Sequence, residues 1–162
     1  MKPQQNNYAF IDSQNLHLSI RRSGWKLDFQ RFNRYLYDNY HVTKLYLFLG
    51  YVPDNKYLYT TLRQMGYTLV FKPTVEKSGV VKGNCDAELV LHCMIEYNNF
   101  DKAVIVTGDG DFHCLIEHLD KQEKLLKIGI PDKYKYSALL RKFRDRYFFY
   151  VSDLKRKLEY NK

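Results

Sequence analysis

Short apolar runs alternate with amphipathic stretches along the chain, and this alternation restricts the possible folds more than any other feature. The runs are "YAFID" (Tyr8–Asp12), "LYLFLGY" (Leu45–Tyr51), "TLVFKP" (Thr68–Pro73), "AVIVTG" (Ala103–Gly108) and "LLKIGIP" (Leu125–Pro131). Each is rich in β-branched or aromatic residues and stops at a polar or turn residue, as buried strands do. "YFFYVSD" (Tyr147–Asp153) offers a sixth. Between them, Asp28 is placed to cap a helix with Phe29, Phe32, Leu36 and Tyr40 on one face. Asp54 starts another through Leu58, Leu62 and Met65, stopping at Gly66. Asn84 or Cys85 opens the next, with Leu89, Val90, Cys93, Met94 and Tyr97 along one face. Asp111 opens a fourth, turning Leu115, Ile116 and Leu119 inward, and "SALLRKF" after Ser137 is a short fifth. This order predicts an α/β sandwich around a mostly parallel sheet of five or six strands.

At 162 residues the chain is expected to form a single domain, with its core over about residues 8–154 and a basic tail from 155 to 162. "TVEKSGVVKGN" (Thr74–Asn84) reads as a long loop leading into a helix. No apolar run approaches the ~18 residues of a membrane span, and the start lacks the order of a secretory signal, so the cytoplasm is the expected compartment. The net charge is +8, and it is unevenly placed. From Lys133 onward there are ten Lys or Arg against three Asp or Glu, whereas the first 132 residues carry sixteen against fifteen. Such a surface favours a polyanionic partner, nucleic acid first. The three cysteines, Cys85, Cys93 and Cys114, form no disulfide framework, and their spacing does not suit a zinc site.

The acidic residues carry the chemistry. In an open parallel sheet, ligands bind outside the carboxyl ends of the strands. "FIDSQN" puts Asp12 at that edge, and "VTGDGD" puts Asp109 and Asp111 there too. "NCDAEL" places Asp86 in the first turn of a helix, on the face that also carries Leu89 and Cys93. Each aspartate alone could be a helix cap. Four anions on one concave edge repel one another unless a cation sits among them, and clustered carboxylates suit Mg2+ or Mn2+, as one or two ions.

"YAFIDSQNL", "KGNCDAELVLHCM" and "VTGDGDFHCLIEHL" together resemble the three signature segments of the NYN domain, the LabA-like (DUF88) branch of the PIN-like nuclease superfamily. The order matches, and the resemblance runs from about Tyr8 to Leu154. It implies a PIN-like three-layer α/β/α sandwich and metal-dependent cleavage of RNA. The family's acidic positions fall on Asp12, Asp86, Asp109 and Asp111, and its polar residue after the first strand falls on Asn15.

Other residues have both a functional and a plainer reading. Asn15 could hold a phosphate oxygen, or cap the helix beginning "NLHLSIRR". Ser13 and Thr107 could orient carboxylates, or form turns. Lys82 could meet a scissile phosphate, while Glu88 should point away from Asp86 and be peripheral. Arg141, Lys142, Arg144 and Arg146, interleaved with aromatics, are candidates for RNA contact, and Trp25 is expected to pack under a loop.

The sequence therefore points to a metal-dependent ribonuclease acting on single-stranded or structured RNA. The alternatives are an RNA- or protein-binding module of the same fold without turnover, or a phosphatase on small phosphate esters. The second alternative lacks a DxD after the first strand, since residue 14 is Gln14, and no GxGxxG supports a dinucleotide enzyme. A homo-oligomer is compatible with the fifteen tyrosines, which mark no interface.

Overall fold

The computed structural model describes residues 5–73, 75–77, 80–82 and 85–161. In chain order the elements are β1 (Asn7–Asp12), α1 (Ser13–Arg22), α2 (Phe29–Tyr40), β2 (Val42–Gly50), α3 (Lys56–Gln64), β3 (Tyr67–Lys72), β4 (Val75–Lys77), β5 (Val80–Lys82), α4 (Asp86–Ile95), β6 (Ala103–Val106), α5 (His113–Lys121), β7 (Leu125–Ile130), α6 (Arg144–Tyr147), β8 (Phe148–Tyr150) and α7 (Lys155–Leu158). Short 3-10 helices occupy Pro53–Asn55, Gly110–Phe112, Ala138–Phe143 and Val151–Leu154.

Six strands form one sheet in the order β3-β2-β1-β6-β7-β8, and every neighbouring pair is parallel. Alternate residues of the strands feed two cores, because successive side chains of a strand point to opposite faces. Phe10, Phe48, Ile105 and Ile128 meet Leu89 and Cys93 of α4 and Leu115 and Ile116 of α5. On the other face Ala9, Ile11, Leu47, Val104 and Val106 meet Leu16 and Ile20 of α1, Phe32 and Leu36 of α2, and Leu62 of α3. The result is the expected three-layer α/β/α sandwich. Burying one such aromatic or aliphatic side chain contributes about 1.5–3 kcal/mol. Trp25 packs into the second core, as does Leu158 of α7.

Local signals account for several boundaries. Asp28 caps α2, its carboxylate accepting from the N–H groups of Gln30 and Arg31 at 3.0 and 3.1 Å. Gly66, with φ +97°, turns the chain from α3 into β3. Other expectations are corrected. The segment 74–84 is not a plain loop: Val75–Lys77 and Val80–Lys82 pair as an antiparallel hairpin. α1 starts at Ser13 and is capped by Asp12, not by Asn15, because the strand hands its last carboxylate directly to the free N–H groups of the helix. Asp54 lies in a 3-10 turn, and α3 begins only at Lys56. Asp111 does not open α5. It lies in the 3-10 turn Gly110–Phe112, capped by Asp109, and α5 follows from His113. "ALLRKF" is likewise a 3-10 helix. Asn84 lies outside the described residues. Among the described residues no helix is long and apolar enough to cross a membrane.

Candidate metal centre

The strand order reverses direction at β1, whose neighbours are β2 on one side and β6 on the other. The crevice at the carboxyl ends of β1 and β6 is therefore the switch point at which open α/β sheets bind ligands. Asp12 is the last residue of β1, and Asp109 lies three residues beyond the end of β6. Asp86 is the first residue of α4. One carboxylate oxygen from each of Asp12, Asp86 and Asp109 lies within 4.8 Å of the others. Among the described residues this is the one group of three or more Asp, Glu, His or Cys side chains spaced to hold a metal ion.

Two of the three aspartates, Asp12 and Asp109, are braced by hydrogen bonds. Asp12 accepts from the N–H of Asn15 at 3.2 Å and from the Thr107 hydroxyl at 3.0 Å. Thr107 is fully buried, and its hydroxyl oxygen also accepts from the N–H of Asp109 at 3.1 Å. One side chain thus ties the positions of two candidate ligands. Asn15 bonds the neighbouring backbone, its side-chain oxygen accepting from the N–H of Gly108 at 2.8 Å. Asp109 then accepts from the N–H of Asp111 at 2.9 Å, which shapes the turn beyond it.

The electrostatics of this arrangement are unfavourable without a cation. Burial, followed in size by the charges of Asp109, Asp12 and Asp111, pushes the Asp86 carboxyl up to about 6. Asp12 is also raised, first by burial, with the Asn15 and Thr107 hydrogen bonds opposing and Asp109 adding to the rise. A divalent cation among the oxygens would reverse both effects, and an all-oxygen donor set fits Mg2+ or Mn2+.

The other candidates are placed as follows. Asp111 is exposed and stands outside the close triad, though near enough to raise Asp86. Ser13 opens α1 directly beside Asp12. Lys82 lies in β5, and its side chain is outside the described part of the structure. Glu88 is less peripheral than expected: its Oε2 is buried and has no hydrogen-bond partner among the described residues. Arg141, Lys142, Arg144 and Arg146 are exposed on the 3-10 helix and α6. Three of them face protein carboxylates: Lys142 meets Glu117 at 3.1 Å, Arg144 meets Asp145 at 3.4 Å and Arg146 lies 3.7 Å from Asp120. Cys93 is buried, Cys85 half-buried and Cys114 exposed.

A second feature of the crevice was not expected. A groove of about 560 Å³ runs from Asp109 and Asp111 between Arg22 of α1 and the segment Tyr134–Ser137. The signal available in the sequence was the position of "KYKYS" just after the strand β7, at the same carboxyl edge.

The comparisons agree with this architecture. The family model for the NYN domain matches residues 8–153. "Low amplitude and bright protein LabA" of Synechococcus elongatus is 26% identical over 149 residues, covering 85% of this chain and 80% of the relative. A solved structure of a protein of unknown function from Vibrio parahaemolyticus superposes with a TM-score of 0.77 at 20% identity, over 99% of this chain and 100% of that one. That likeness concerns the fold alone. With the signature segments, the sheet order and the triad in place, the match over residues 8–153 makes the chain a member of the NYN domain family.

Proposed function

We propose that the protein is a metal-dependent endoribonuclease, a single-domain enzyme that hydrolyses RNA phosphodiester bonds with one or two Mg2+ or Mn2+ ions. The observation that carries this reading is the convergence of Asp12, Asp86 and Asp109 oxygens within 4.8 Å at the switch point of the sheet. The family and the basic segment from Lys133 onward support RNA as the polymer.

When bound, such an ion polarises phosphoryl oxygens and lowers the pKa of water. The chain's own residues position the reaction. Asp12 and Asp109 are held in register by the single hydroxyl of Thr107. Asn15 fixes the course of the backbone at Gly108, so the turn that presents Asp109 does not drift. Asp111, exposed beside the triad, would orient an incoming water. The raised carboxyl of Asp86 makes the site a poor place for an uncompensated anion and a good one for a cation.

The test is incubation of the purified protein with end-labelled single-stranded and hairpin RNAs in Mg2+, Mn2+ or EDTA, with Asp109→Asn alongside. Cleavage should require metal and fall by orders of magnitude in the variant, whose circular dichroism should match wild type. RNA retained in a gel shift with no metal-stimulated product would assign the domain to binding instead.

A further inference from the structure

The segment 131–137 is pinned at one end beside the metal centre and at the other to the 3-10 helix Val151–Leu154. The N–H of Ser137 donates to the carbonyl of Gly108 at 3.0 Å, and a Cβ on Gly110 would come within 2.9 Å of the Ser137 Cβ. At its other end, Asp132 accepts from the N–H of Tyr134 at 2.9 Å, and Lys133 is tied to Asp153 at 2.8 Å. Tyr136 turns inward, its ring meeting the edge of Phe148 at 5.3 Å. Tyr134 turns outward and is 86% exposed. Lys135, beside it, is exposed as well.

Arg22, in the last turn of α1, lines the same groove. Neither Arg22 nor Lys135 belongs to an ion pair among the described residues, whereas Lys142, Arg144 and Arg146 each face a carboxylate. Arg141 is unpaired too among the described residues, but Arg22 and Lys135 are the unpaired cations that line the groove at Asp109. Lys133 Nζ lies 5.1 Å from the centre of the Tyr134 ring, and the rest of that ring is open to solvent. An exposed aromatic ring in one groove with unpaired cations is the chemistry that holds an unpaired strand, because every base has a π-face and its backbone a phosphate. A duplex keeps its bases stacked inside and offers none to Tyr134.

We propose that Tyr134, Lys135 and Arg22 seat a single-stranded segment of the substrate, one base stacked on Tyr134 and flanking phosphates on Lys135 and Arg22. This deepens the ribonuclease reading and rests on it for the identity of the polymer. The three residues select unpaired RNA and lead its backbone to the carboxylates; they do not take part in bond cleavage.

The experiment is fluorescence anisotropy with a short labelled oligoribonucleotide, alone and annealed to its complement, with Ca2+ in place of Mg2+. The proteins compared are the whole chain and its Tyr134→Leu, Tyr134→Phe, Lys135→Ala and Arg22→Ala variants. The single strand should bind more tightly than the duplex. Tyr134→Leu should weaken it about five- to a hundredfold, with Tyr134→Phe close to wild type. Lys135→Ala and Arg22→Ala should each reduce the slope of log affinity against log salt by about 0.7. Wild-type affinity and salt slope in all four variants would overturn the proposal, even if Asp109→Asn still abolished cleavage. Conversely, Tyr134-dependent binding by a protein that never cleaves RNA would keep this seat and remove the nuclease reading. No binding of either RNA form would remove both.

Discussion

Thr107 shows how much of the centre depends on a single residue. Its hydroxyl donates to Asp12 and accepts from the N–H of Asp109, so it links strand β1 to the turn after β6 at two candidate ligand positions. Thr107→Val keeps the shape and removes both bonds. Metal affinity, read by isothermal titration with Mn2+, should fall about 10–100-fold. The cost to stability should be about 1–3 kcal/mol, since a buried carboxylate loses a donor. Thr107→Ser should restore both, and a Thr107→Val protein with wild-type Mn2+ affinity would refute the link. Asp86 gives a prediction of opposite sign. Its carboxyl is raised from 3.8 to about 6 in the fold, so between those values the folded chain holds a proton that the unfolded chain has released. This group therefore lowers metal-free stability as pH rises from about 4 to 6, and the loss persists above. Asp86→Asn should raise the melting temperature in EDTA at pH 7, show no advantage near pH 4, and lose stabilisation by Mn2+. A variant that melts below wild type in EDTA at pH 7 would show that the repulsion is not there.

Among the elements, the 3-10 turn Gly110–Phe112 explains where the sequence could and could not be read. Both Asp109 and Asp111 are plausible helix caps, and nothing local decides between them. The choice is made by contacts about 95 residues away in sequence, through Thr107 to Asp12 and Gly108 to Asn15. The same long-range contacts leave Asp111 on the lip and gather only Asp12, Asp86 and Asp109. By contrast α2 was legible in full, because a capping aspartate and an apolar stripe are both local signals. The six sheet strands were legible because each is apolar enough to be buried. The hairpin β4–β5 was not, since three residues per strand are too few for a period to show. The identity of all three triad residues was readable, and that of the groove wall at Tyr134–Ser137 was not. At this scale Gly110 is the sensitive point. Gly110→Ala would drive a methyl group to 2.9 Å from the Ser137 Cβ and separate the turn from the segment docked on it. RNA cleavage should fall roughly ten- to a hundredfold. Adding Ser137→Gly, which opens the space, should recover most of it, and an unchanged rate in the single variant would show that the close approach is immaterial.

For the whole molecule, the centre joins two halves of the sheet. Asp12 comes from the β1–β3 half and Asp109 from the β6–β8 half, with Asp86 on the helix that crosses between them. A cation bound to all three stabilises only the folded chain. At a free Mn2+ concentration of about 100 times the dissociation constant, the gain is about 2.7 kcal/mol. For a chain of this size that corresponds to a melting temperature raised by roughly 5–10 °C. Differential scanning fluorimetry at neutral pH should show the rise in wild type and not in Asp109→Asn. A melting temperature indifferent to millimolar Mn2+ and Mg2+ would mean that the three carboxylates do not act as one site.

The pairing of Tyr8 with Ala103 has a consequence for how the protein is made. β1 leaves the ribosome before its neighbour β6, which follows some 95 residues later, about 5–20 s at ordinary rates of synthesis. Until then one edge of a central, largely buried strand is open, and Asp12 faces neither Thr107 nor Asp109. The nascent chain therefore carries no assembled centre. On the ribonuclease reading, a protein made beside a messenger would, by this order of strands, become competent only once the second half of its sheet has closed on the first.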